Sequence, residues 1–420
     1  MNKLKVNLYE FLSCLSNAQD MVMPELSNHH HMVAYLAYKL AERADLSANE
    51  QKDLISAALV HDIGALSIGE RLELIENEPE YINDHAFKGA KLLKNFTLLT
   101  DGVDRIVKFH HIPWNNGKGR FYEDEEVPFT SHIVHLADRV CGMIKHNKDV
   151  LNLVDSILAS VNRNKSIIFE PNLVDFLNEI SDKEYIWLDL VSPDPLEKIP
   201  DIGLFNTIEL EEEDITNIAY LFSQIIDFRS RFTAYHSAGV AKTAEKIANL
   251  MGFSPIECNM MLIAGYLHDL GKLAIDNSVL EKPDKLNTEE YQKMRSHSYY
   301  TYQLLSNISS FAPITEWASF HHERLDGKGY PFHINGDKLS LGSRIMAVAD
   351  VFTAVTENRP YRKGMEDSHA KKVLNDMVED GALDRNVVNV VIENFNLLNE
   401  IRGEAQHKAL EVHKNFLHCM

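Results

Sequence analysis

Histidine and aspartate recur along the chain in an order that metal chemistry can use. His29 is followed 32 residues later by the pair His61-Asp62, then by His85, the pair His110-His111 and Asp138. The order returns as His236, then His268-Asp269 after the same 32 residues, His297, His321-His322 and Asp350. Later intervals run 24, 25 and 27 residues in the first set and 29, 24 and 28 in the second. Flanking text matches too: AALVHDIG with AGYLHDLG, HAFKGAKLL with HSYYTYQLL, HLADRV with AVADVF. A lone histidine is usually a capped or surface residue, but ten of the 20 histidines fall at these repeated positions, which points to duplication of one metal-binding unit.

Each set offers five imidazoles and two carboxylates. That mixture suits two divalent ions of intermediate softness, iron or manganese, better than oxygen-preferring magnesium. Two ions need a bridge. A carboxylate next to a histidine can give one oxygen to each ion, which makes Asp62 and Asp269 the bridging candidates. Paired ions lower the pKa of a shared water and stabilise the oxygens of a phosphorane-like transition state, so phosphoester hydrolysis is the expected reaction.

The elements that must hold these residues read as helices. VAYLAYKLAERADLS, ISAALVHDIGAL, ITNIAYLFSQIIDF, VAKTAEKIANLMGF and MLIAGYLHDLGKL place apolar residues at i, i+3, i+4 and i+7, and little strand patterning is present. The expected fold class is all-α, with every candidate ligand borne on a helix. The proline-bearing stretch SPDPLEKIPDIG, Ser192 to Gly203, breaks the pattern before the acidic run ELEEED, which suits a helix N-terminus. Two domains are expected, residues 1–195 and 206–420.

Bulk properties narrow the partners. The 420 residues carry 42 Lys and Arg against 62 Asp and Glu, a net charge of −20, which disfavours polymeric nucleic acid and anionic lipid. A small anionic ligand held by a few local cations is still allowed. No run of about 18 apolar residues marks a membrane span, and the first residues lack a secretory pattern, so a cytoplasmic location is expected. The four cysteines form no C-x-x-C, which argues against a disulfide framework or thiolate zinc site.

Three stretches of the second half carry a resemblance. HDLGK at His268 to Lys272, HHERLDGKGYP at His321 to Pro331 and ADVFTAVTENRPYR at Ala349 to Arg362 closely resemble the HD-GYP family of HD phosphohydrolases, which degrades cyclic dinucleotides in bacterial second-messenger signalling. The likeness spans roughly Glu209 to Asn399. It implies tandem helical HD-type domains and makes His236, His268, Asp269 and Asp350 the shell of one metal. His297, His321 and His322 would hold the second, with Asp269 bridging and a metal-bridged hydroxide attacking the phosphodiester. Lys272, three residues beyond Asp269 and hence expected on the same helical face, would contact the scissile phosphate. Arg359 and Arg362 would grip substrate phosphates, and Tyr330 in the bent GKGYP loop would border the ligand. The implied substrates are cyclic di-GMP or 3′,3′-cyclic GMP-AMP, opened to a linear dinucleotide.

Two departures from the family pattern matter. Phe232 stands where some members have a glutamate that helps assemble a third metal, so a two-metal site is expected. Thr353 replaces a common aspartate and is given no role. In the first half all seven ligands persist, yet Ala65 replaces the lysine, GKGRF at Gly117 to Phe121 replaces GKGYP, and the RPYR arginines are missing. A regulatory, packing or dimerising role is expected there, which leaves room for a homodimer. The competing reading is a catalytically weak sensor that holds the cyclic dinucleotide or a di-iron centre and signals through the first half. A general HD nucleotidase is disfavoured by the GYP loop and RPYR.

Overall fold

The helices that lead up to the two His-Asp pairs start with the same device. Ser47 caps Ala48–Val60 and Ser254 caps Pro255–Leu267, each in a reciprocal box with the glutamate three residues on, Glu50 and Glu257. The box satisfies two backbone donors that a helix start would otherwise leave bare, and Pro255 supplies a first-turn φ at no hydrogen-bond cost. Both helices run 13 residues and end on the residue before the histidine, at Val60 and Leu267.

The computed structural model describes residues 5–21, 28–65, 83–94, 99–144, 149–199, 207–209, 212–228, 235–282, 284–358 and 363–418. The chain divides into two units, Val6–Ile208 and one centred on Glu209–Met420. Both are helical, as expected. Strands among the described residues are only two or three residues long, such as Phe121–Tyr122 paired antiparallel with Glu125–Glu126.

In the first unit the helix His29–Arg43 packs on Ala48–Val60 and Phe129–Ile144, while Asn83–Leu93 packs on Asp101–Phe109. In the second, His236–Leu250 packs on Pro255–Leu267, Leu341–Thr356 and the long Phe395–His418, while Thr288–Leu305 lies along the turn Leu270–Ala274 and the helix Ala312–Ser319. Small residues set these crossings. A side chain at Gly265 would come within 2.4 Å of the Ala241 backbone, so only glycine lets the two helices approach as they do. Val240, Ala244, Met261 and Ile263 on the same two helices are fully buried. Of these, the valine, methionine and isoleucine side chains each contribute about 1.5–3 kcal/mol when removed from water. No described helix is long and apolar enough to cross a membrane.

Candidate active site

Helix ends, rather than helix middles, carry much of the ligand set. His236 opens its helix, and His297 and Asp350 lie within theirs. His268 caps the end of Pro255–Leu267, Asp269 follows it, and His321 and His322 turn just past Ala312–Ser319. The expectation that all ligands are helix-borne is corrected for these four. The physical reason is that the last carbonyls of a helix have no intrahelical donor and accept well from a side chain. His268 Nδ1 donates to Gly265 O at 2.8 Å, and His321 Nδ1 donates to Ala318 O at 2.6 Å. His297 does the same within its helix, donating to Met294 O at 2.6 Å.

These bonds fix the tautomers. With Nδ1 carrying the proton, each Nε2 of a neutral ring presents a lone pair, the arrangement found in histidines that hold metals, and at His297 the Ser298 hydroxyl lies 3.2 Å from that nitrogen. His297 Nε2 and His321 Nε2 face each other at 3.4 Å. Burial above all pushes the His297 imidazole down to about 3 and His321 well below its usual range, so neither ring takes up the proton that would relieve the contact. Two facing lone pairs in a buried site call for a cation between them, and the donor set fits a divalent ion.

The surrounding atoms agree with that fit. Three overlapping groups, His236/His268/Asp350, His268/Asp269/His321 and His297/His321/His322, keep their ligand atoms within 4.8 Å of one another. Asp269 splits its oxygens, Oδ2 lying 3.3 Å from His268 Nε2 and Oδ1 lying 3.5 Å from His297 Nε2. Although burial opposes it, the neighbouring His268 imidazole and Lys272 ammonium hold the Asp269 carboxyl well below the usual carboxylate range. His236 Nε2 sits 3.2 Å from Asp350 Oδ1.

Lys272 reaches the site by a route that periodicity did not show. The α-helix has already ended at Leu267, and Leu270–Ala274 forms a tighter 3₁₀ turn. In that geometry residues three apart eclipse, so Lys272 Nζ donates to Asp269 Oδ2 at 2.5 Å. The turn depends on Gly271, where a Cβ would meet His297 O at 2.0 Å; Gly64 is confined by His85 O at 2.1 Å in the first unit.

Two buried carboxylates escaped the sequence reading. Glu357 is fully buried, accepts from His236 Nδ1 at 3.0 Å and from Gln406 Nε2 at 2.9 Å. Burial would push His236 down, but Glu357 and Asp350 outweigh it and hold the imidazole up at about 10. Its only sequence signal is a spacing of seven from Asp350, two helical turns. Glu323, next to His322, accepts from the backbone N–H groups of Phe332, His333 and Ile334 at 2.7, 3.1 and 3.0 Å. It thereby fastens the segment after GKGYP, whose Tyr330 ring lies against His322 with centroids 4.8 Å apart and planes 33° inclined. Arg359, Arg362 and Phe232 lie outside the described residues.

The first unit repeats the ligand geometry. His61 Nδ1 donates to Ala58 O at 2.8 Å and His110 Nδ1 to Val107 O at 2.7 Å, while His85 Nε2 faces His110 Nε2 at 3.3 Å. Asp62 again divides its oxygens, Oδ2 at 3.5 Å from His61 and Oδ1 at 3.2 Å from His85, and Asp138 lies 3.0 Å from His29. His111 joins Asp62, His85 and His110 in one group of potential ligands. His61 Nε2 is buried with no hydrogen-bond partner, as a ligand nitrogen would be. Buried Ala65 stands where the second unit has Lys272.

Comparison with known proteins gives this duplication a family. HD-domain models match residues 26–143 and 220–387. The chain is 32% identical over 400 residues to 3′3′-cGAMP-specific phosphodiesterase 1 of Vibrio cholerae, covering 93% of this chain and 92% of the relative. The chain belongs to the HD-GYP family. A second family member, 3′3′-cGAMP-specific phosphodiesterase 3 of the same organism, is 30% identical over 80% of this chain and 73% of its own length. Over a shorter span, 37% of this chain and 41% of the relative, the chain is 37% identical to a cyclic di-GMP phosphodiesterase response regulator of Xanthomonas campestris. The crystal structure of a cyclic GMP-AMP-specific phosphodiesterase of V. cholerae shares the fold, with a TM-score of 0.66 at 23% identity over 94% of this chain and 99% of that one.

Proposed function

We propose that the Glu209–Met420 unit hydrolyses a phosphodiester bond of a cyclic dinucleotide, cyclic di-GMP or 3′,3′-cyclic GMP-AMP, to give a linear dinucleotide. The observation that carries this reading is the divided carboxylate of Asp269 between His268 and His297, with the Lys272 ammonium on the same oxygen. The relatives' activities on 3′3′-cGAMP and cyclic di-GMP supply the substrate class. In this reading two divalent ions, iron or manganese, are held by His236, His268, Asp269 and Asp350 and by Asp269, His297, His321 and His322. Bound there, such ions lower the pKa of water and offset the charge that builds on phosphate oxygens.

The protein's own groups do the rest. The Nδ1–H bonds of His268, His297 and His321 keep the three rings aimed inward as neutral ligands, and Glu357 does the same for His236 with a charge to spare for the metal's positive field. Lys272 leaves its carboxylate partner to meet a phosphate oxygen, where a compact ammonium stabilises the growing negative charge. Tyr330, whose phenol burial keeps protonated, borders the ligand and offers an O–H donor. Arg359 and Arg362 keep the phosphate-gripping role that the family likeness gives them. A cytoplasmic setting is supported by the free thiols of Cys14, Cys141 and Cys258.

The test is turnover by purified full-length protein, reconstituted anaerobically with iron or manganese, on both cyclic dinucleotides, with metal content measured alongside. Linear product from at least one is expected. No product with both ions bound sinks the reading, and tight binding without turnover would favour a sensor that signals through the first unit.

A further inference from the structure

A second cation stands at the rim of the C-terminal site. Arg295 lies two residues before His297 on the helix Thr288–Leu305 and is half-buried. Its guanidinium carbon lies 4.6 Å from the Tyr330 ring centroid and 6.0 Å from that of Tyr291, one turn earlier on its own helix. Since Tyr330 in turn lies against His322, the three side chains form a ladder leading outward from the ligand cluster.

The aromatic faces account for the orientation of the guanidinium, but not for its donors. Among the described residues Arg295 has no ion pair and no hydrogen-bond acceptor. Neighbouring half-buried cations do: Lys282 holds Glu290 at 2.6 Å, Arg324 holds Asp326 at 2.8 Å and Arg344 holds Asp384 at 3.0 Å. In a chain of net charge −20 an arginine beside an active site with no protein acceptor among the described residues has its donors free for a ligand. The repeat adds an independent observation. The positions of Arg295 and Tyr330 are Asn83 and Arg120 in the first unit, so both rungs are missing from the unit that also lacks the lysine.

We propose that Arg295 recognises a guanine base of the cyclic dinucleotide, donating its two-pronged edge to O6 and N7 while Tyr330 supports its face. The inference rests on the cyclic-dinucleotide reading above. Two stacking intervals, 4.8 Å from His322 to Tyr330 and 4.6 Å from Tyr330 to the guanidinium carbon, set it outward from the metal ligands, at the rim where a part of the ligand other than the scissile phosphate would lie. Guanine presents two acceptors on that edge, whereas adenine presents one acceptor and one donor, so the fork discriminates between them.

The experiment compares wild type, Arg295→Ala and Arg295→Lys, each with measured metal content, on cyclic di-GMP and on bis(p-nitrophenyl) phosphate, a diester without bases. Arg295→Ala is expected to raise KM for cyclic di-GMP roughly tenfold or more with kcat within about twofold, and to leave the base-free diester unaffected. Arg295→Lys is expected to rescue little, because an ammonium cannot form the paired donation. An unchanged KM in Arg295→Ala overturns the proposal. Full rescue by lysine overturns it in favour of a phosphate contact, and equal loss on both diesters overturns it in favour of a structural role. A wild type active on the base-free diester but inert on every cyclic dinucleotide sinks the substrate reading itself, and this proposal with it.

Discussion

Glu357 is the residue whose importance least matches its visibility. A carboxylate with no exposure to water is costly unless its oxygens are satisfied, and here His236 and Gln406 both point at Oε2. It holds His236 in place and, together with Asp350, holds a proton on it at neutral pH, since the imidazole is pushed up to about 10. A metal entering at Nε2 must displace that proton, so uptake is expected to release protons and to strengthen as pH rises. Calorimetric titration of metal-free protein in buffers of different ionisation enthalpy reads the proton count directly. Glu357→Gln keeps an acceptor for Nδ1–H but removes the charge. Metal affinity is expected to fall about tenfold or more, with the fold retained by circular dichroism. Unaltered affinity would reduce Glu357 to a packing role.

At the scale of elements, what the sequence revealed and what it hid have different causes. The seven ligands of each unit were legible because histidine and aspartate at fixed intervals, twice, are a pattern in residue identity. The helices were legible because burial imposes a 3.6-residue period. The stops at Val60 and Leu267 were not, since apolar periodicity runs straight through HDIG and HDLG and only the crowding at Gly64 and Gly271 shows why the chain must tighten there. Glu357 and Glu323 were hidden for a related reason: their partners lie 121 residues away in one case and in a loop backbone in the other. Gly271→Ala would drive a methyl into the backbone of the helix carrying His297, and we expect a loss of about 3 kcal/mol or more with reduced metal content. Gly403, inside the helix Phe395–His418, meets nothing within 4 Å, so Gly403→Ala is expected to stabilise by about 0.5–1 kcal/mol. Urea midpoints of the two variants should move in opposite directions.

For the molecule as a whole, two ligand sets of similar geometry sit in units that share their helix caps and confined glycines but differ at the positions that would face a substrate. The second has Lys272, Tyr330 and Arg295; the first has Ala65, Arg120 and Asn83 at those positions. Asp62→Ala is therefore expected to lower the metal content of the full chain while leaving most turnover in place. Asp269→Ala should remove metal and abolish turnover. Elemental analysis and product assay on the same preparations check both, and loss of turnover with Asp62→Ala would show that the first unit is needed for chemistry.

The facing ring nitrogens, His297 with His321 at 3.4 Å and His85 with His110 at 3.3 Å, also bear on the protein's life in a cell. A chain stripped of its ions keeps the His297–His321 lone pairs face to face in the second unit, whereas any ion that binds only the folded form adds stability in proportion to the logarithm of its free concentration. Starvation for the metal would then do more than silence the enzyme: it would open the fold to proteases and shorten the time for which the chain persists.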